Sequence, residues 1–351
     1  PAIPLGVPAP PPAREPSAQA QEPLVLRVAA WPRYAAANFT RAFARLYQER
    51  TGVAVVVTQT VTVASNDEYP RLLREAEVDL VAPSCDMAPL LIQEGLVQPF
   101  SAARSGELLP AFRHPPFLQS GGQGYGVCYA SGPMWLITVG ERPPLRRWSQ
   151  LWDPEQRGRV AIWDDAVWAV TLTALAHGKR NVFDLSDADL AEVREHLVAL
   201  LRNGCRLWRE PDEVLGWLRA GEVIAADDWG ILSWKLERTG HAVERVVPER
   251  GSAQWIDSWM IGAHLEGERL AAAQAWVDYA VSPENQRDLL VQAGYDPTNA
   301  RTVELLDKAT ARARVRTIRE RQLVGLERWR PVARREAYRA AWEAAKAAAG
   351  R

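Results

Sequence analysis

The chain has 351 residues, enough for two domains with substantial cores, and an ordinary globular composition: 47% hydrophobic, 24% charged, formal net charge -1. Such a balance gives no electrostatic case for nucleic acid, whose binding relies on many Lys and Arg contacts to phosphate, so no nucleic-acid partner is expected. The unusual figure is Trp, at 15 against 6 Phe and 8 Tyr; indole packs well, and its face is also the best one for holding a cation.

The opening "PAIPLGVPAPPPAREPSAQAQEP" is rich in Pro, Ala and Gln and has no periodicity. Pro1 is not an initiator, so residues 1–22 are expected to be an extended leader of the kind left by signal-peptide cleavage. Order begins at "LVLRVAAW" (24–31), a strand, followed by "AANFTRAFARLYQERTG", whose apolar residues have helical spacing and whose Gly52 suits a helix end. "VAVVVTQTVTV" (53–63) is a second strand. Ser65 and Glu68 have capping-box spacing for a short helix over "DEYPRLLREA", with Pro70 in an early position. "VDLVAP" (78–83) is a third strand and "MAPLLIQEGL" (87–96) a helix. This alternation predicts an α/β domain with a parallel sheet.

A Gly-rich stretch, "SGGQGYGVCY" (120–129), interrupts the rhythm. "RVAIWDDAVWAVTLTALAHG" then gives strand and helix, "DADLAEVREHLVALLRNG" an amphipathic helix, and "EVIAADDW" and "ERVVPE" further strands. From residue 302 the pattern is helical, with its basic residues read as a solvated face. No internal repeat is present. The longest apolar run, "AVWAVTLTALA" (166–176), is short of the roughly 18 residues that cross a bilayer and suits a buried helix.

Chemistry-bearing motifs are sparse. Cys85, Cys128 and Cys205 are an odd count without CxxC spacing, which implies neither a disulfide framework nor a zinc site. One disulfide plus a free thiol, or three buried thiols, both fit. GxSxG, HExxH, P-loop and strand-following GxGxxG motifs are missing, and the five histidines have no ligand spacing. Cys85 has no His in a context that pairs with it. The chain is therefore expected not to be an enzyme and to need no metal or cofactor.

The informative stretch is "SAQWIDSWMIG" (252–262), where Trp255, Asp257 and Trp259 alternate with Ile256, Ser258 and Met260. A strand points alternate side chains to one face, so this spacing sets a carboxylate between indoles.

Together with "AAWPRYAAANFTRAFARLYQERTGVAV", "VDLVAPSCDMAPLLIQEGLV", "PLRRWSQLWDPEQRGRVAIWDDAVWAV", "LRAGEVIAADDWG", "VVPERGSAQWIDSWMIG" and "AVSPENQRDLLVQAGYDPTNA", it resembles the periplasmic spermidine/putrescine-type binding proteins of ABC importers. The resemblance spans residues 24–300 with its motifs in family order. It implies a two-lobed α/β fold of the type II periplasmic-binding-protein kind, with a ligand cleft between lobes. Lobe 1 would comprise residues 23–128 plus 257–301, and lobe 2 residues 129–256 plus 302–351. It also implies export to the periplasm or the outer face of the cell membrane, a small organic cation as ligand, an ABC importer permease as partner, and a monomer.

That family cages its ligand with aromatic rings and fixes amines with carboxylates, which matches the physics of ring faces and charge-assisted hydrogen bonds. The matching residues are Trp31 and Tyr34 in "WPRY", Ser84 of the "PS" loop, Asp165 opening a helix, Trp229 in "DDWG", Trp255 with Asp257, and Tyr295 in "GYDPTN". Of the Asp164–Asp165 pair, Asp164 is assigned to helix capping and Asp165 to the cleft. Trp259 is assigned to the core, and Asp228 to the surface or the space between lobes.

Several positions depart from the family pattern. Trp168 stands one turn after Asp165, where a member with a long polyamine ligand typically has an acid. Arg33 replaces an acid between the first two aromatics, and Asp86 replaces an aromatic after the serine. Ser131 stands in place of a tryptophan, Cys128 in place of a proline, and "RWRP" (328–331) lacks the glutamine used near the C-terminal helices. Ligand charge should match that of the site, so a smaller or bulkier cation than an extended triamine is expected, with Asp86 and Trp168 among its contacts. If Arg33 instead points into the cleft, the ligand is an amino-acid-like zwitterion. A chemoreceptor-linked sensor would need the same ligand-induced closure.

Overall fold

Strand β1 (Leu24–Ala30) turns from alternating to continuous burial at Val28–Ala30, as a strand covered on both faces must. The computed structural model that shows this describes residues 22–100, 102–311 and 326–351, so residues 1–21 of the expected leader lie outside the described residues. Helix α1 (Ala37–Thr51) ends where Gly52 turns left-handed and donates to the Gln48 carbonyl at 2.8 Å. β2 (Val55–Thr62) pairs with β1 in parallel. The capping box is present: Glu68 accepts from the Ser65 N–H at 3.0 Å, and α2 (Tyr69–Arg74) holds Pro70 in its first turn. β3 is shorter than expected, at Leu80–Val81, and α3 spans Ala88–Gln93.

After α4 (Pro110–Arg113), the Gly-rich stretch holds a small hairpin, β4 (Gln119–Ser120) with β5 (Gln123–Gly124), and then β6 (Val127–Pro133). β7 (Trp135–Val139) starts one residue after Met134 but belongs to a different sheet. β8 (Val160–Trp163), α5 (Ala166–Ala176), α6 (Asp187–Arg202), β9 (Arg206–Trp208), α7 (Pro211–Arg219), β10 (Ala225–Asp228), α8 (Ile231–Arg238) and β11 (Val243–Val246) follow. The chain returns through β12 (Ser252–Ile261), α9 (Gly267–Ala280), α10 (Pro283–Ala293) and β13 (Asp296–Pro297), and closes with β14 (Leu326–Arg328) and α11 (Arg335–Ala348).

Two sheets result. The first runs β13-β6-β12-β3-β1-β2, with β14 on β12, and the second runs β11-β7-β10-β8-β9. The chain leaves the first sheet at Met134 and re-enters it at Ser252, so the second sheet is formed entirely by a segment inserted within the first. β14 is a strand where a helical tail was expected, whereas α11 is helical and buries Tyr338, Trp342 and Ala345 against α5 and α6 at helical spacing. Cys85, Cys128 and Cys205 are three separate buried thiols.

The sheet holding the carboxylate of "SAQWIDSWMIG" is fixed by a buried ion cluster. Asp79, fully buried before β3, accepts from Arg27 of β1 at 2.8 Å, from Arg269 of α9 at 2.6 Å, and contacts His264 at 3.2 Å. Burial alone would raise its pKa, but Arg27, His264 and Arg269 hold it below the usual carboxylate range. This ties β3, and hence the Ser84 loop, to the segment after β12. Asp79→Ala should cost roughly 2–4 kcal/mol in chemical unfolding, less than a fully buried pair because the arginines stay partly in water. A loss within 0.5 kcal/mol, roughly the scatter of surface substitutions, would show that the cluster does not hold the sheet.

Candidate ligand-binding site

β12 is buried along its whole length, because β6 and β3 flank it and both faces are covered. Asp257 lies at its centre, 4% exposed. Its two oxygens accept from the Tyr34 hydroxyl at 2.5 Å and from Ser84 Oγ at 2.6 Å. Ser84 is brought there by a single bridge between its backbone and that of Asp257. A register shift opposite Asp257 and Ser258 leaves Tyr129 of β6 unpaired, and Trp259 packs into the core against Tyr34, Tyr129 and Trp276.

Rings surround this carboxylate. Trp31 and Tyr34 both turn inward because Arg33 between them takes a left-handed backbone (φ 77°), while the Tyr34 N–H closes the turn onto the Trp31 carbonyl. Tyr295 meets Tyr34 and Trp255 edge-on, each at 5.6 Å. From the second sheet come Trp163, ending β8, and Trp229, following β10, which meet edge-on at 4.8 Å and reach Trp31 at 6.0 and 6.1 Å. Trp229 is held by the start of α8. Gly230 there has φ 119°, which only glycine adopts freely, and Asp228 accepts from the N–H groups of Gly230, Leu232 and Ser233. Asp228 is thus a buried helix cap, where an acid at the surface or between lobes was expected.

These side chains, with Met134 and Trp329, line one cavity with about 340 Å³ of space between atoms, its open mouth included. A water molecule's centre can move through only about 30 Å³ of it, so the space is a narrow slot between rings. Asp257 carries the one carboxylate among the described lining residues. Burial pushes its pKa up to about 7, with Ser84 and Tyr34 opposing the rise and Asp86 adding to it.

Seven of the ten residues expected at the site therefore meet: Trp31, Tyr34, Ser84, Trp229, Trp255, Asp257 and Tyr295. Three do not reach the lining. Trp168 sits on α5, buried nearly all round, and points its indole N–H at Asp227 instead. Asp165, assigned above to the cleft, is the N-cap of α5, accepting from Trp168 N at 2.9 Å and from Ser65 Oγ at 2.9 Å. Asp164, assigned to capping, binds Arg209, Trp342 and Lys346. Capping falls to Asp165 because the first N–H groups of α5 face the second carboxylate, and neither acid lines the cavity. Asp86 is 1% exposed and accepts from Asn66 at 3.1 Å and Arg335 at 2.9 Å. Arg335 and Arg339 both pair with Asp67, so the basic start of α11 faces carboxylates and not the expected solvent.

Arg33 is exposed and donates to Gln292 at 2.9 Å, outside the cavity. Cys85 donates its thiol to the Trp329 carbonyl, and burial raises its pKa well above normal, which keeps it from being a thiolate nucleophile.

Sequence reading missed Met134, Trp163 and Trp329. Met134 is the single residue between two strands of different sheets, a position visible only in three dimensions. Trp163 ends a strand beside the Asp164–Asp165 pair that drew attention, and Trp329 occupies "RWRP", where a glutamine was sought and an indole stands. Asp227 organises this wall from behind: it accepts from Trp163 N at 3.0 Å and from the indoles of Trp208 and Trp168. Burial pushes it up to about 7, and all these donors oppose that rise.

Two sheets, one inserted within the other along the chain, with a ring-walled slot at their junction, define a two-lobed ligand-binding protein. The chain belongs to the bacterial extracellular solute-binding proteins, whose family model matches residues 42–314. It is 23% identical over 276 residues to the spermidine/putrescine-binding periplasmic protein of Escherichia coli (strain K12), covering 76% of each chain. In structure it is similar to a putative spermidine/putrescine ABC transporter protein from Listeria monocytogenes, with a TM-score of 0.79, 21% identity, and 92% and 98% of the two chains covered. It is also similar to the spermidine/putrescine ABC transporter substrate-binding protein of Streptococcus pneumoniae, with a TM-score of 0.72, 21% identity, and 93% and 99% covered.

The Trp255 indole lies directly on Gly132 of β6, where a Cβ would come within 2.7 Å of the ring. Gly132→Ala should push this ring off its seat, costing about 1–3 kcal/mol in denaturant unfolding and shifting Trp emission. Unchanged stability and emission would show that the ring is not held there.

Proposed function

We propose that the protein binds a small organic cation in this cavity and delivers it to the permease of an ABC importer. It would act as a monomer in the periplasm or at the outer face of the cell membrane. The observation that carries the proposal is Asp257. Among the described residues no basic side chain is hydrogen-bonded to it, yet it is buried among ring faces that attract cations. Relatives named for spermidine and putrescine support the cationic class. The division of labour is binding, not turnover: a ring cage and a carboxylate hold a guest without bond-breaking machinery.

We assign the two bodies that close on the ligand to residues 23–128 plus 257–301 and 129–256 plus 302–351. Trp31, Tyr34, Ser84, Asp257 and Tyr295 are presented by the first, Trp163, Trp229 and Trp255 by the second. Closure brings the rings together and excludes water, which strengthens the single charge contact. The narrowness of the slot is what a closed cleft would show, with the rings parting to admit a guest. A zwitterionic ligand held by Arg33 is not favoured, since that guanidinium rests on Gln292.

Asp257→Asn should weaken binding of a cation such as butylamine or putrescine by roughly a hundredfold or more in calorimetry. Affinity within threefold of the parent would refute a charge contact at Asp257.

The raised pKa of Asp257 sets a second expectation. A cation needs the ionised carboxylate, so affinity should fall about tenfold per pH unit below 7 and level off above it. Stability of the unliganded protein should run oppositely. The folded state keeps a proton that the unfolded chain, with a pKa near 4, has lost, so Asp257 contributes stability on the order of 4 kcal/mol at acid pH that disappears as pH rises to about 7. Asp227 acts in the same direction. Ligand-induced rise in Tm should therefore be larger at pH 8 than at pH 5; an equal rise at both would contradict a titrating contact.

A further inference from the structure

The acids of the cleft are divided between two kinds of partner. Asp257 faces the cavity with only hydroxyl donors, whereas Asp67 and Asp86 hold a guanidinium supplied by the chain itself. Arg335 opens α11, which packs on α5 and α6, and reaches across to the opposite lobe. Its Nη1 donates to Asp86 at 2.9 Å and its Nε to Asp67 at 2.5 Å, and its side chain is only 11% exposed. Asp165, the cap of α5, adds a third negative charge to its surroundings. Arg339, one turn later, takes the second oxygen of Asp67. This cluster adjoins the aromatic slot: Asp86 is two residues from Ser84, and Arg335 six from Trp329, both on the cavity wall.

We infer that Arg335 is a specificity-determining residue: it permanently fills the acidic compartment beside the slot, so the ligand carries one cationic centre, seated at Asp257. The inference rests on the cation reading given above and narrows it. A second ammonium on the same guest would have to displace a guanidinium held by two carboxylates, or lie unpaired among rings, and a desolvated unpaired charge is strongly unfavourable. A guanidinium fixed by two carboxylates is pre-organised in a way that a flexible ammonium is not. The acceptor supply points the same way. Each Asp257 oxygen already takes one hydrogen bond, so the slot suits an amine with few N–H groups to satisfy, such as an alkylated monoamine.

The test compares two ligands of equal length and different charge, butylamine and putrescine, by calorimetry on the full chain. Arg335→Gln and Arg335→Lys are measured beside the parent, with thermal unfolding as the check that each variant is folded. The parent should bind butylamine more tightly by roughly tenfold or more, the worth of one charge-assisted hydrogen bond left unmade. Arg335→Gln should move the ratio toward putrescine by roughly ten- to a hundredfold, and Arg335→Lys should keep the parental order. Putrescine bound by the parent as tightly as butylamine, or a ratio unchanged in folded Arg335→Gln, would overturn the inference while leaving cation binding intact. If Arg335→Gln does not fold, the parental ratio decides alone. Absence of binding by any amine, tetramethylammonium included, overturns the cation reading and this inference with it.

Discussion

The molecule is organised around a carboxylate taken out of water. Asp257 sits on the central strand of the first sheet, where burial penalises its charge and two hydroxyls only partly offset the penalty. Tyr34, Ser84 and Asp257 come from three widely separated segments, so the arrangement requires β1, β3 and β12 to be in register to within a hydrogen bond. The Asp79 ion cluster supplies part of that rigidity from the far side of the same strands. The rings then set the dielectric: Trp163 and Trp229 lining the slot raise the cost of leaving Asp257 unpaired and the gain on pairing it.

Much of the α/β alternation was legible in the sequence because period-2 and helical spacing, Gly52 and the Ser65–Glu68 box are local signals. Seven of the cavity residues were legible through motif resemblance, since strand ends and the turns after them keep their positions along the chain. What was not legible depends on packing at a distance. Asp164 and Asp165 differ by one position, and only the direction of α5 decides which one caps. Trp168 looked like a wall residue at i+3, but the Asp227 carboxylate behind α5 draws its N–H away. β14 was hidden because a three-residue strand carries no period, and its pairing with β12 is a long-range contact.

The near-neutral composition conceals a local segregation of charge. Two arginines of the last helix pair with Asp67 and Asp86, while one acid is left facing the cavity. A charge count over the whole chain reports none of this, because the deficit at Asp257 is balanced by groups elsewhere on the molecule. The C-terminal segment thus does two things at once: Trp329 closes a wall of the slot, and Arg335 pairs with Asp67 and Asp86.

The long strand β12 carries an implication for how the molecule is made. The antiparallel partners of β12, β3 and β6, precede it by more than a hundred residues, and the wall around Asp257 is unfinished until Trp329 arrives. As the chain emerges from the ribosome, its first two hundred and fifty residues cannot complete the first sheet and leave the edges of β3 and β6 open. Such non-local pairing makes folding slow and leaves the growing polypeptide dependent on nearly its full length. Asp257 therefore gains its full ring wall only once the segment carrying Trp329 has joined the sheet beside β12.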